Sequence, residues 1–159
     1  LDILTGTFVV RQLQPWHENI GKRQVKAPKI YLRDSGLLHG LLGLSDWHGL
    51  MGYPRLGASW EGFMLEQALR TVAPTEAYFW ATHGGAEIDL FFVHHGRRYG
   101  VEVKFSEAPK VGRSQHTAVD SLNLDHLWVV YPGQQAYSVD DKITVWPLKE
   151  LAGLSDQMD

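Results

Sequence analysis

The sequence contains no cysteine. This absence excludes disulfide bonds and thiolate metal sites, and it is typical of proteins from a reducing compartment, which predicts a cytoplasmic location. No apolar run approaches the roughly 20 residues that a membrane-spanning helix needs, so we expect no membrane insertion. The chain also lacks an excess of positive charge. Its formal net charge is −3 at pH 7, unlike the basic charge of a dedicated nucleic-acid-binding protein.

The remaining composition is that of a globular protein. With 159 residues, of which 44% are hydrophobic, the chain has the size of one domain. The order of its apolar segments predicts an α/β fold, with α+β as the alternative, in which a mixed central sheet is flanked by helices. The predicted elements are a helix over 59–73, strands at about 77–83, 86–94 and 98–105, a helix near 113–122, strands at 126–131 and 143–146, and a short helix over 148–154.

A shorter, strand-containing segment precedes this pattern. Residues 7–13 and 29–32 are predicted strands, and Asp34 or Ser35 is predicted to cap a brief helix. Residues 45–58 are rich in glycine and turn-forming residues, which predicts a loop. We therefore expect the chain to divide into residues 1–44, 45–58 and 59–154.

Charged residues interrupt two apolar strands in GAEIDLFFVHHGRRYGVEVKF. A two-residue turn at His95-Gly96 fixes the pairing of the strands. Asp89 then lies opposite Glu102, and Glu87 lies opposite Lys104, with all four side chains on one face because side chains alternate along a strand. The other face would carry the apolar side chains, which are Ile88, Leu90, Phe92, Val101, Val103 and Phe105.

Two interpretations account for these charges. Opposed carboxylates destabilise a sheet unless a cation lies between them, and magnesium is a cation that takes carboxylate oxygens as ligands. The structural alternative is a cross-strand ion pair between Glu87 and Lys104, together with inward charges that protect an edge strand from aggregation.

The predicted helix over 59–73 carries a further charge of this kind. At about 100° per residue, Glu61 falls within the apolar stripe of the helix, where a carboxylate needs a cation or a hydrogen-bond network as partner. Glu66 falls on the opposite, polar side. The residues of the apolar stripe are Met64, Leu65, Ala68, Leu69 and Val72.

This pattern resembles a known superfamily. Asp89 followed by Glu102-Val103-Lys104, with a helical Glu61 ahead of them, resembles the PD-(D/E)xK nucleases, which have a restriction-endonuclease-like fold. Ile88 stands where the superfamily pattern has proline. The segments KAPKIYLRDSGLL, GASWEGFMLEQAL, AEIDLFF and GVEVKFSE are also similar to the uncharacterised C-terminal domain of a prokaryotic AAA-type ATPase family. The resemblance covers roughly residues 1–149.

The resemblance implies roles for the charged residues. Glu61, Asp89 and Glu102 would bind Mg²⁺, with Mn²⁺ as an alternative, and Lys104 would orient the attacking water or stabilise charge on the phosphate. It also implies that residues 1–44 include the tail of a winged-helix-like segment and a short linker helix. The resemblance further implies an upstream ATPase module, which alone would bind ATP; this would explain why the chain does not begin with Met and has no phosphate-binding loop.

Two functions follow from the resemblance. One is magnesium-dependent phosphodiester hydrolysis of DNA, and the other is a catalytically inactive nuclease-fold module that recognises a nucleic acid or a protein. Gln115 is expected to line the site on the helix after the Glu102 strand. The sequence leaves the choice between the two functions, and the oligomeric state, open. The basic residues expected to contact DNA are Arg97, Arg98, Lys110 and Arg113.

Overall fold

The computed structural model describes residues 1–18 and 27–158 of the chain. Within these residues it shows a mixed eight-stranded sheet flanked by helices, which confirms the predicted α/β class. None of the described helices is long and apolar enough to cross a membrane. The helices are α1 (Asp2–Gly6), α2 (Ser35–Leu41), α3 (Trp47–Met51), α4 (Leu56–Val72) and α5 (Arg113–Leu122), with 3₁₀ helices at Leu148–Gly153 and Ser155–Gln157. The strands are β1 (Val10–Pro15), β2 (Lys29–Leu32), β3 (Ala77–Ala81), β4 (Glu87–His94), β5 (Arg97–Val103), β6 (His126–Tyr131), β7 (Tyr137–Ser138) and β8 (Ile143–Pro147).

The strands follow the order β2-β1-β3-β4-β5-β6-β8-β7 across the sheet. Strands β3, β4 and β5 form an antiparallel meander, whereas β5, β6 and β8 are parallel. The N-terminal strands continue the same sheet, because β1 pairs with β3 in parallel and β2 pairs with β1 antiparallel. The assignment of residues 1–44 to a winged-helix-like segment stays a prediction.

Apolar side chains fill both faces of the sheet. Strands buried on both faces carry near-continuous apolar runs, as in the fully buried β6 sequence Leu127–Val130. Helix α4 covers one face and α5 covers the other. The α4 side includes Leu13, Met64, Leu65, Leu90, Phe92, Tyr99, Val101, Trp128 and Val130. The α5 side includes Ile88, Phe91, Leu122, Leu124, Leu127, Val129, Ile143 and Val145.

The segment before α4 is more helical than the sequence suggested. The predicted loop over 45–58 is wrong, because it contains α3, whose first turn is stabilised by the Asp46 carboxylate accepting the Gly49 N–H at 2.7 Å. Helix α4 also begins three residues early, at Leu56. Ser59 therefore lies inside the helix as a buried residue, with its Oγ 2.6 Å from His39 Nε2.

The predicted hairpin between β4 and β5 is confirmed. His95 and Gly96 have φ angles of 49° and 79°, as a two-residue type I′ turn requires. Pairing follows the predicted register from His94 opposite Arg97 to Leu90 opposite Val101. It ends there, so the predicted pairs of Asp89 with Glu102 and of Glu87 with Lys104 are not part of the ladder.

A bulge in β4 alters the predicted distribution of its side chains. Tyr78 pairs with Phe91 and Trp80 pairs with Ile88, so three steps along β4 match two steps along β3. The extra residue interrupts the alternation of faces. As a result Ile88 packs on the α5 side and Leu90 packs on the α4 side, and the expectation that they share a face is wrong.

Phe105 also lies outside the predicted core. Strand β5 ends at Val103, and the Phe105 side chain beyond it is 43% exposed. Its ring packs at 5.4 Å from the ring of Trp60 on α4. The expected core position is therefore wrong, because the chain leaves the sheet before Phe105.

Gly100 of β5 provides a test of this packing. A Cβ atom at Gly100 would lie 2.9 Å from Leu127 Cδ1 and 3.0 Å from Leu124 Cδ1, and both leucines are fully buried. We expect Gly100→Val to lower the free energy of unfolding by about 1–3 kcal/mol because of overpacking. Gly57→Ala, at an exposed position of α4 with open space around it, should raise it by up to about 1 kcal/mol. Urea denaturation measures both changes, and unchanged stability of Gly100→Val would contradict the packing.

Candidate active site

Acidic side chains gather where β4 and β5 separate, at the end of the hairpin away from its turn. Beyond the Leu90–Val101 pair, the N–H of Val103 donates to Oδ2 of Asp89 at 2.9 Å. The Asp89 side chain thus takes the place of a backbone partner. This contact fixes one carboxylate, which is 7% exposed, at the point where the strands diverge.

The ammonium group of Lys29 lies among three of these carboxylates. Its Nζ is 3.1 Å from Glu61 Oε1, 2.5 Å from Glu87 Oε1 and 3.1 Å from Asp89 Oδ1. The alternative interpretation, an ion pair between Glu87 and Lys104, is therefore wrong. The ammonium next to Glu87 comes instead from β2, which the sequence interpretation did not place near this hairpin.

Glu61 faces a cation, as its position in the apolar stripe of the helix predicts. The same carboxylate oxygen that contacts Lys29 also accepts a hydrogen bond from the hydroxyl of Tyr31. Both partners lie on β2. The charge of Glu61 is thus compensated from within the protein, and its side chain is 27% exposed.

Glu102 and Lys104 form the second half of the cluster. Lys104 Nζ lies 2.5 Å from Glu102 Oε1, and Gln115 Nε2 donates to the same oxygen at 3.2 Å. The Gln115 side-chain oxygen in turn accepts the N–H of Gly112 at 3.0 Å, which fixes the orientation of the amide. Gln115 therefore lines the site as expected. The other oxygen of Glu102, Oε2, is buried and has no hydrogen-bond partner among the described residues.

Burial and mutual repulsion dominate the electrostatics of the cluster. Burial raises the pKa of Asp89 to about 7, and the charges of Glu102 and Glu61 act in the same direction. Burial also raises the pKa of Glu102, although the Lys104 ammonium opposes this change. For Lys29, burial acts to lower the pKa, but the combined effect of its anionic neighbours, with Asp89 first among them and Glu87 and Glu61 after it, outweighs burial, so the pKa is raised.

The cluster has an excess of negative charge. When every group is ionised, four carboxylates face the two ammonium groups of Lys29 and Lys104, which leaves two negative charges without a counter-charge. A single divalent cation would balance this excess.

The contacts of the carboxylates determine which of them could bind a metal ion. No three His, Cys, Asp or Glu side chains among residues 1–18 and 27–158 form a group able to hold a metal ion. The three-carboxylate site expected from Glu61, Asp89 and Glu102 is thus not assembled here, because Lys29 stands between the first two. Asp89 and Glu102 still fit Mg²⁺, which often takes one or two carboxylates and keeps several waters. The buried, unpartnered Oε2 of Glu102 is the observation that supports this fit.

The four predicted DNA-contacting residues do not form one surface. Arg97 and Arg98 lie at the turn end of the hairpin, several residues from the carboxylates, and Arg98 is engaged by Glu18 at 2.6 Å. Lys110 and Arg113 are exposed and lie just before Gln115 in the chain, near the site. DNA contact by any of these residues stays a prediction.

Glu66 is a buried charge that the sequence interpretation missed. Its predicted position on the polar face of α4 is wrong, since the residue is 1% exposed. Arg11 of β1 and Arg33, just after β2, both donate to its carboxylate. Burial acts to raise the pKa of Glu66, but the two guanidinium groups outweigh this effect and lower it. These contacts hold the N-terminal strands against the helix that carries Glu61.

Lys29 and Tyr31 were also missed as site residues. Both occur in the segment KAPKIYLRDSGLL, to which no chemical role was given. They are two positions apart on one strand, and this spacing puts both side chains on the same face. That alternation was the available signal. Which face met the carboxylates depended on the pairing of β2 with β1, which the sequence does not reveal.

Comparison with known proteins identifies the α/β domain that carries this site. Residues 56–151 match the family described as a domain of unknown function (DUF4143), and the chain belongs to this family. Such domains are commonly found at the C-terminus of AAA-ATPase-like proteins. Residues 1–48 match a second family of unknown function, DUF8612.

Relatives of this chain are known in mycobacteria. Uncharacterized proteins of Mycobacterium bovis and Mycobacterium tuberculosis are each 48% identical to it over 151 residues, which is 95% of this chain. The chain spans only 34% of the length of these relatives. No solved structure matches the chain.

The Glu66 contacts lead to a stability prediction. We expect Glu66→Gln to lower the free energy of unfolding at pH 7 by about 2–3 kcal/mol, because two guanidinium groups lose their charged partner. Since the pKa of Glu66 is lowered from 4.5, its contribution is present above that pH and is lost as the pH falls below it. The difference between the two proteins should therefore shrink in acid.

Urea denaturation at pH 7 and pH 3 measures this effect. Glu107→Gln, which changes an exposed carboxylate in the same way, serves as the matched control and should leave stability unchanged. A Glu66→Gln protein as stable as the wild type at pH 7 would show that the arginine contacts do not hold the N-terminal strands.

Proposed function

We propose that this domain is a PD-(D/E)xK-like nuclease, with a restriction-endonuclease-like fold, that hydrolyses phosphodiester bonds of DNA with Mg²⁺ or Mn²⁺. The observation that carries the proposal is the buried, unpartnered Oε2 of Glu102, in a cluster whose four carboxylates outnumber its two ammonium groups. The order Asp89, then Glu102-Val103-Lys104, on adjacent strands supports the same function.

In this proposal Asp89 and Glu102 are the residues that hold the metal ion. When bound, the ion supplies polarisation of the scissile phosphate and a lowered pKa of a coordinated water. Two neighbours orient the ligands: the Val103 N–H fixes Asp89, and Gln115 fixes Glu102. Both ligands are therefore held in place before any cation arrives.

Lys104 supplies positive charge to the substrate. Its ammonium is held 2.5 Å from Glu102 Oε1, yet its side chain remains 38% exposed. It can thus contact a phosphate oxygen from solvent while staying beside the metal ligand. Fixed positive charge at this position stabilises the negative charge that develops on the phosphate in the transition state.

The family context supports a place for this activity in a longer protein. Related domains lie at the C-terminus of AAA-ATPase-like proteins, and the chain covers 34% of its mycobacterial relatives. We infer that an upstream ATPase module, which binds ATP, delivers or regulates the nuclease domain.

One observation favours a second function. Both oxygens of Asp89 are already engaged, one by Lys29 and one by the Val103 N–H. A site in which Asp89 is satisfied in this way from within the protein also suits a nuclease-fold module without turnover, which recognises a nucleic acid or a protein partner. Metal binding and cleavage distinguish the two functions.

Cleavage assays test the nuclease directly. We expect the chain to cut plasmid, single-stranded or branched DNA in Mg²⁺ or Mn²⁺, and to stop cutting in EDTA. Asp89→Asn, Glu102→Gln and Lys104→Met should each lower the rate by about 10²–10³, because each removes a metal ligand or a fixed charge. Glu107→Gln, an exposed carboxylate after β5, should cut like the wild type.

Circular dichroism shows whether each variant is folded, and calorimetry measures Mn²⁺ binding. Absence of cleavage on every substrate, together with absence of Mn²⁺ binding, would reject the nuclease and favour the inactive module.

A further inference from the structure

The site combines residues from two parts of the chain. The carboxylates lie within residues 56–151, which match one family, whereas Lys29 lies within residues 1–48, which match another. The N-terminal segment therefore contributes a charged side chain to a cluster that belongs to the other part.

Lys29 has no hydrogen-bonding capacity left for a substrate. An ammonium group has three N–H donors. Three carboxylate oxygens lie within 3.1 Å of Lys29 Nζ, on Glu61, Glu87 and Asp89. Lys104, in contrast, contacts one carboxylate and is more exposed, at 38% against 23% for Lys29. The two lysines therefore differ in role, and Lys104 is the one available to a phosphate.

The position of Lys29 is fixed by its strand. Its backbone is paired with Leu13 of β1, and its ammonium lies 5.4 Å from the centre of the Phe79 ring. Two residues further, Tyr31 donates to Glu61, the same carboxylate that Lys29 contacts. Strand β2 thus presents an ammonium and a hydroxyl together to the acidic cluster.

We propose that Lys29 is a positioning residue that acts as an internal cation: it holds Glu61, Glu87 and Asp89 together and lowers the affinity of the site for divalent cations. The inference rests on the proposed function in that the same site takes the metal ion. Lys29 contacts Asp89 Oδ1, so a metal ion that binds Asp89 competes with the ammonium for the carboxylate.

The direction of the effect follows from charge. Loss of the Lys29 ammonium increases the negative excess of the cluster from two charges to three. The affinity for a divalent cation then rises, because the Lys29 ammonium no longer repels it. Two positive charges a few ångströms apart repel strongly in a partly buried site. The metal-free protein loses stability, because three carboxylates lose their shared partner.

Manganese titration of the 159-residue chain tests the inference. In calorimetry we expect Lys29→Met to bind Mn²⁺ at least tenfold more tightly than the wild type, and Lys29→Arg to bind like the wild type. In EDTA, Lys29→Met should melt at a lower temperature, and Mn²⁺ should raise its melting temperature by more than it raises that of the wild type. Lys149→Met, at an exposed position, should change neither quantity.

The outcomes separate this inference from the nuclease proposal. If Lys29→Met binds Mn²⁺ no more tightly than a wild type that binds it, the inference is overturned and the metal site stands. If only Lys29→Met binds, the inference is supported and the wild-type chain is not a manganese enzyme by itself. If neither protein binds Mn²⁺, both the inference and the metal site fail.

A measurement on the wild type tests the inference without relying on the folding of any variant. In EDTA, Lys29 should react with acetic anhydride more slowly than the exposed Lys149, as read by mass spectrometry, because its ammonium is enclosed by carboxylates. Saturating Mn²⁺ should speed the acetylation of Lys29. Equal rates for the two lysines in EDTA would overturn the inference.

Discussion

The structure depends on the compensation of buried carboxylates by a few positively charged side chains. Asp89 and Glu102 are too well buried to be stable as isolated charges, so their surroundings must supply positive charge or hydrogen bonds. Lys29 on β2 and Lys104 just after β5 supply part of what is needed. In our proposal, the negative charge that the lysines leave uncompensated makes the cluster suited to a divalent cation. The same charge balance therefore governs the stability of the metal-free protein and, in our proposal, the affinity of the cluster for a divalent cation.

Much of the fold was predictable from local patterns. Helix α5 and strands β2 and β6 have the predicted bounds, because their apolar periodicity and flanking breakers are clear. The hairpin turn at His95-Gly96 also fixed the pairing of β4 with β5 correctly as far as Leu90 and Val101. The bulge in β4 was not predictable, since it arises from pairing with β3 and leaves no mark in the local sequence. The early start of α4 and the presence of α3 were hidden by glycine-rich sequence.

The candidate site was predictable in its acidic half. Asp89, Glu102 and Glu61 stand out because each places a charge where an apolar residue is expected. Lys29 did not stand out, because a lysine at the start of a short strand is ordinary; its importance depends on long-range pairing. The position of Glu66 was predicted wrongly for a related reason, since the arginines that pair with it come from β1 and from the residue after β2. Sequence patterns therefore revealed which buried positions carry a charge, but not which side chains compensate that charge.

The central claim is that the acidic cluster is a cation site from which Lys29 is displaced. A crystal structure of the chain grown with Mn²⁺, with anomalous diffraction data collected, tests this claim most directly. The account predicts an anomalous peak in contact with Asp89 and Glu102, and a Lys29 ammonium that has moved away from Asp89. A cluster without an anomalous peak at saturating Mn²⁺, with Lys29 still in contact with Asp89, would contradict it.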